Sequence, residues 1–237
     1  MHTNQTNMSS FNIIGDIHGR NCWKQLVDES CINIFVGDYF DPYDLILFDE
    51  LRNNFLEILE LKKRIPDKVV LLYGNHDYDY LPGIDEKTKR YDSWNAPSIT
   101  KLFVESAHLF EGIAYAIGEE YLVSHAGVTK RWLDKYLPDV TDYKPSNVAR
   151  VVNDLWSNNK EAFGFNANAE PLDFYGESAE HSPIWVRPIY FGYCNLYRGT
   201  NIMQIVGHSR VENITEKDNA IFIDCLETTV KSKRINI

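Results

Sequence analysis

Five short stretches set carboxylate, imidazole and carboxamide side chains just beyond apolar runs: GDIHG with Asp16 and His18, GDYFD with Asp38 and Asp41, GNHDY with Asn75 and His76, SHAG with His125, and GHSR with His208. Oxygen and nitrogen donors without a thiolate suit first-row divalent ions such as Mn, Fe or Zn. They outnumber what one ion needs, yet divide sensibly over two ions that share a bridging carboxylate. Two ions ~3.5–4 Å apart make a hydrolytic device, because a bridging water loses its proton near neutral pH and the ions clamp the oxygens of an in-line displacement. The charge of two divalent ions exceeds what Asp16 and Asp38 return, so the site favours an anionic substrate such as phosphate.

Taken singly, each stretch has a plainer explanation. GDIHG and GNHD can be turns, and a lone histidine such as His125 or His208 is more often a core or surface residue. Their joint occurrence, each after an apolar run, is what points to metal. His2, His108 and His181 have no such context and read as structural or surface residues.

The elements that must position these groups follow from apolar patterning. Residues 11–14, 32–36 and 69–73 are β-prone runs closed by Gly15, Gly37 and Gly74. Between them, 21–30 reads as a helix, and 44–64 carries Leu45, Phe48, Leu51, Phe55, Ile58 and Leu61 at helical spacing up to Pro66. Strand and helix in alternation indicate a mainly parallel α/β sheet, in which ligands gather beyond the carboxyl ends of the strands. Residues 112–117 and 121–124 read as a hairpin running into His125. Helices are expected over 130–137 and 147–158, and strands over 202–206 and 220–224. Residues 78–95 read as a long loop or lid, and 159–182 carries no clear pattern. The groups of interest run from Asp16 to His208, so division into two domains would split the site. The expectation is a polar tail over 1–10 and one domain over 11–237.

Composition narrows the class. The chain has 237 residues, 44% hydrophobic and 24% charged, with a net charge of −10. That acidity argues against a broad nucleic-acid or anionic-membrane surface. Cys22, Cys31, Cys194 and Cys225 are scattered and read as reduced thiols. With no apolar leader segment and no run of membrane-spanning length, the expected location is cytoplasmic.

The series GDIHG, GDYFD, GNHD, SHAG and VGHS resembles the calcineurin-like metallophosphoesterase superfamily, and within it the phosphoprotein phosphatase branch of small bacterial and phage type. PIWVRP is similar to the Trp-x-Arg element of the small bacterial members, and the match extends from Ile13 to about Asp224. The resemblance implies a metallophosphoesterase fold of α+β class, a central β-sandwich of mixed sheets flanked by helices. It implies two divalent ions, with Mn foremost and Fe or Zn as alternatives: Asp16 and His18 on the first, Asn75, His125 and His208 on the second, and Asp38 bridging. His76 would protonate the leaving oxygen, oriented by Asp41, and Arg187 would grip the phosphate with its planar fork. Arg210 stands where other branches carry a second histidine, which fits the single-histidine phosphoprotein phosphatase pattern.

One departure stands out. The family usually has arginine after the second aspartate of the second motif, and here that position is Pro42. Arg20, Arg90 and Arg210 are the candidates to compensate. The expected activity is hydrolysis of phosphate monoesters by a dimetal-bound hydroxide, of serine/threonine phosphoprotein phosphatase type, on a phosphorylated protein or a small phosphoester. A dinucleoside tetraphosphatase, another nucleotide phosphohydrolase or a phosphodiesterase is the alternative. A non-catalytic binding module is a reading of a second class, and a nuclease, which the single-histidine GHSR motif and the acidic net charge oppose, is the third.

Overall fold

The computed structural model describes residues 9–165 and 180–237. Nine strands among them form two sheets. The first has the order β3 (Val69–Leu71), β2 (Ile32–Phe35), β1 (Ser10–Ile14), β9 (Lys233–Asn236). The second has the order β4 (Ala114–Ile117), β5 (Tyr121–Ser124), β6 (Met203–Val206), β8 (Ala220–Phe222), β7 (Thr215–Lys217). Each sheet has a parallel centre: β1, β2 and β3 in one, and β5, β6 and β8 in the other. Antiparallel strands close the edges, with β9 on β1, β4 on β5 and β7 on β8. The sequence patterning led us to expect one mainly parallel sheet; the architecture is instead the two mixed sheets implied by the family resemblance.

Alternation along the strands explains the layering. Ile13, Ile34 and Val70 of the first sheet meet Val123, Ile205 and Ile221 of the second in one buried cluster between the sheets. The intervening residues Ile14, Phe35 and Leu71 turn outward onto Leu51, Phe55 and Ile58 of α1 (Phe48–Arg64). Leu122 likewise packs with Val148 and Val152 of α5 (Pro145–Asn158). Strands buried on both faces read as continuous apolar runs, which is why these were legible. Each fully buried aliphatic chain contributes about 1.5–3 kcal/mol. The remaining helices are α2 (Asn75–Tyr78), α3 (Ala96–Ser106), α4 (Lys130–Tyr136) and α6 (Pro188–Cys194). No helix among the described residues is long and apolar enough to cross a membrane.

Two expected helices are altered. Over 21–30 only a 3-10 turn forms, at Cys22–Gln25. The amide side chains of neighbouring strands capture that segment's backbone instead: Asn12 donates to Leu26 O (2.8 Å) and Asn33 to Asp28 O (2.9 Å), while Asn33 accepts from Asp28 N (3.1 Å). Helix α1 begins at Phe48 rather than 44. Leu45 is 100% exposed and belongs to no apolar face. The loop over 78–95 is present as expected and leads into α3. Most of the unpatterned 159–182 stretch, from 166 to 179, lies outside the described residues.

Candidate metal centre and active site

Every one of the five motifs follows a strand that is parallel to its neighbour, so their polar residues converge on the shared carboxyl edge of the two sheets. Asp16 and His18 follow β1, Asp38 and Asp41 follow β2, Asn75 and His76 follow β3, His125 follows β5 and His208 follows β6. Ligand atoms of Asp16, Asp38 and His125 lie within 4.8 Å of one another, as do those of His18, Asp38 and His76. Asp38 belongs to both groups.

The backbone is bent to achieve this. His18, Asp38, Asp41 and His208 all have positive φ, between 43° and 62°, a region non-glycine residues adopt only under constraint. Gly37 and Gly74 let two strand-end loops touch: a Cβ on Gly37 would collide with the backbone of Gly74.

Hydrogen bonds to carbonyls define the histidine tautomers, since a carbonyl only accepts. His18 Nδ1 donates to Phe40 O and Asp41 O (both 3.0 Å), His125 Nδ1 to Val36 O (2.9 Å) and His208 Nε2 to Trp185 O (3.1 Å). In the neutral imidazole the opposite ring nitrogen is then the one that carries the lone pair. His125 Nε2 and His208 Nδ1 both sit 2.9 Å from Asn75 Oδ1, so three acceptors converge on one point. Asp38 Oδ2 lies 3.5 Å from His18 Nε2 and 3.4 Å from His125 Nε2. Acceptors gathered this closely in a buried place need a cation, and ligating histidines are usually oriented in this way by a carbonyl behind them. The donor set fits divalent metal.

Electrostatics agree. Burial holds His18 neutral, with its pKa lowered to about 3, and pushes that of His208 well below the ordinary value, Arg187 adding to the effect. Burial also raises Asp16, and repulsion from Asp224 and Asp38 adds to it, so this carboxyl ends well above the usual range. Burial works to raise Asp38 too, but its imidazole neighbours, the protonated His76 among them, outweigh that cost and hold this carboxyl well below the usual range.

Beside the metal-binding groups, His76 Nδ1 donates to Asp41 Oδ2 at 2.8 Å. Burial works against its charge, but Asp38 and Asp41 prevail and raise its pKa to about 9. Its Nε2 is the ring nitrogen that this bond leaves free, and a nitrogen of the ring lies within 4.8 Å of ligand atoms of His18 and Asp38. Arg187 donates to His208 O (3.1 Å) and Ser209 Oγ (3.4 Å), and pairs with no carboxylate among the described residues. Asn75, His76, Trp185 and Arg187 line a cavity of about 420 Å³, whose wall includes Lys87 and Arg90 from the 78–95 loop. A larger hollow of about 550 Å³ beside Cys22 and Asn54 holds none of the nine candidate residues.

The structure thus brings all nine together. His108 is exposed, whereas His181 is fully buried and stacks on Phe165 at 4.8 Å; His2 lies outside the described residues. The cysteines are all free.

A scan against protein-family models matches the calcineurin-like phosphoesterase model over residues 9–220. The chain belongs to the calcineurin-like phosphoesterase family. It is accordingly a hydrolase acting on phosphate esters, in a family of dimetal enzymes. No curated protein matches this phosphoesterase by sequence search. Among solved structures it is similar to the cold-active protein-tyrosine phosphatase of a psychrophilic Shewanella sp., with TM-score 0.59, 18% identity, and 92% of this chain and 71% of that chain covered. It is also similar to a protein serine/threonine phosphatase from Saccharomyces cerevisiae related to human phosphatase PP5, with TM-score 0.52, 17% identity, and coverage of 92% and 68%. At these identities the likeness concerns the fold.

Some contributors of this phosphoesterase site escaped the sequence reading. Asp77 accepts from the N–H groups of Gly74 (2.8 Å), Asp38 (2.7 Å) and Tyr39 (2.9 Å), tying two motif loops together. It is the aspartate that closes the GNHD motif. Tyr80 donates to Asp41 Oδ1 and gave no signal at all. Asp224, two residues past the end of β8, is buried near Asp16, and burial with repulsion from Asp38 raises its pKa to about 6.

Proposed function

We propose that this phosphoesterase is a metal-dependent phosphatase that hydrolyses phosphate monoesters. Asp16, His18, Asp38, Asn75, His125 and His208 would hold two divalent ions, with Mn the foremost candidate. When bound, such ions supply a deprotonated water near neutral pH and neutralise phosphoryl charge. The chain's own part is acid catalysis and grip. Asp41 keeps His76 protonated and aimed, so that its Nε2 can deliver a proton to the departing alkoxide or phenoxide oxygen. Arg187 would bind the non-bridging oxygens through its planar fork.

The observation that carries this reading is the 2.8 Å His76–Asp41 pair facing the cavity beside the acceptor cluster. A built-in acid matters most for a poor leaving group such as a serine or threonine alkoxide, which favours a phosphoprotein substrate of that type. A dinucleoside tetraphosphate is the second reading, favoured by the aromatic Trp185 and Phe165 in a cavity wall that also bears Lys87 and Arg90. The two structural neighbours are phosphatases of different residues, tyrosine in one and serine/threonine in the other, so fold alone does not choose.

The test is hydrolysis of p-nitrophenyl phosphate by protein stripped of metal and reloaded with Mn, beside its bis-ester and the His76→Asn variant. Monoester turnover restored by Mn supports the proposal, and the variant should lose more on a phosphoserine peptide than on p-nitrophenyl phosphate, whose phenolate needs little protonation to leave. Preference for the diester overturns it in favour of a phosphodiesterase. Parallel assays with a phosphopeptide and a dinucleoside tetraphosphate separate the two substrates.

A further inference from the structure

Position 42 brings no cation to the site, yet the rim beside it is strongly cationic in a chain of net charge −10. The centre of this rim is Tyr43. The guanidinium carbon of Arg210 lies 3.5 Å from its ring centroid and that of Arg90 lies 3.8 Å away. A group this near must sit over a face, since the ring's own atoms block any in-plane approach. Two guanidiniums cannot share one face at such distances, so Tyr43 is held between them. Its edge meets His18, with ring centroids 4.7 Å apart and planes at 78°. The stack is thereby fastened directly to a proposed metal ligand.

The two arginines differ in what surrounds them. Arg210 pairs with Glu227 at 2.9 Å, and the same carboxylate meets Arg20 at 3.4 Å. Arg90 donates to Pro42 O at 3.3 Å, and among the described residues no carboxylate pairs with it. It also lines the cavity that contains Asn75, His76 and Arg187. An exposed arginine with an uncompensated charge, its planar group fixed by an aromatic face, is prepared to bind an anion at little cost in side-chain order.

We propose that Arg90 is a phosphate-gripping residue of this site, positioned by its stack on Tyr43, with Arg210 bracing the opposite face of the ring. The role rests on the phosphoesterase reading above and adds to it a second cationic contact beside Arg187. It would be delivered from a loop 48 residues beyond Pro42, the residue whose carbonyl it touches. Because Arg90 is exposed and its contacts are with Tyr43 and the carbonyl of Pro42, its removal should leave the fold and the metal-binding groups in place.

Calorimetric titration of inorganic phosphate into the Mn-loaded full chain tests this without requiring turnover. Arg90→Ala should weaken phosphate binding about 10- to 100-fold, the scale of losing charge-assisted hydrogen bonds. Tyr43→Leu should weaken it by about tenfold although Arg90 remains, because the guanidinium is no longer held. Arg90→Lys should fall between wild type and Arg90→Ala, and Arg150→Ala, an exposed arginine on α5, should match wild type. Bound Mn, measured in each variant, should be unchanged. Phosphate affinity that Arg90→Ala leaves intact overturns the proposal, even where His76→Asn abolishes ester hydrolysis and the phosphatase reading survives. A wild-type chain that takes up Mn but no phosphate overturns it too. Phosphate binding that depends on Arg90, in a protein that cleaves no ester, would keep the grip and sink the phosphatase reading.

Discussion

At the floor of the site His18, His125 and His208 are 2%, 0% and 8% exposed, each tethered through one ring nitrogen to a backbone carbonyl. At its rim Arg90 and Arg210 are exposed and are held by the faces of one tyrosine. The floor is assembled from strand ends that carry positive-φ residues and glycines whose backbones touch. The rim is assembled from loops and can tolerate exchange. Chemistry that needs sub-ångström placement belongs on the first kind of support, and recognition that must suit a substrate belongs on the second.

That contrast can be broken from either side. The largest effect is expected for Asp38→Asn, which removes the carboxylate common to both acceptor groups. Metal content, read by elemental analysis, should fall together with turnover, by about 10³-fold. Unchanged hydrolysis would remove Asp38 from the floor. His76→Asn comes next, with turnover reduced about 10²- to 10³-fold while bound metal is retained, as for loss of a general acid. Loss of metal in that variant would instead make His76 a ligand.

Asp41→Asn should cost about 10- to 100-fold, the scale of an orienting partner. It carries a signature in pH. A raised pKa means that His76 keeps its proton up to about 9, so activity that needs the proton declines as pH rises through that value. Taking away the Asp41 charge removes one of the groups that stabilise the imidazolium, and the alkaline limb must move to lower pH. A limb that stays where it was would separate Asp41 from the acid. The smallest effect belongs to the rim's neighbour Leu45, fully exposed, where Leu45→Ser should change stability by no more than about 0.5 kcal/mol in a denaturant titration. A larger loss would mean that the 42–47 segment is covered by something in solution.

Much of the fold was legible because apolar runs mark strands buried on both faces. β1, β2, β3, β5 and β6 stand within two residues of their expected places, with a polar cluster after each one. β9 was not legible, since its sequence KRIN buries only Ile235, and it joins β1 from the far end of the chain. The helix expected over 21–30 failed for a long-range reason as well: Asn12 and Asn33, on two strands, take its backbone partners. The first four helical positions expected over 44–47 lie outside α1, in the segment that follows the anchored Tyr43.

By itself, the sequence determined the donor chemistry. Residue types and their place after apolar runs are local properties, and Asp16, His18, Asp38, Asp41, Asn75, His76, His125, Arg187 and His208 could be named without coordinates. Only the tertiary structure decided which ring nitrogen of each histidine is free, because carbonyls of Phe40, Val36 and Trp185 make that choice from other segments. It also decided which of Arg20, Arg90 and Arg210 borders the cavity while lacking a carboxylate partner. That distinction arises from Tyr43 and Glu227, contacts between residues far apart in the chain, and no periodicity or spacing encodes them.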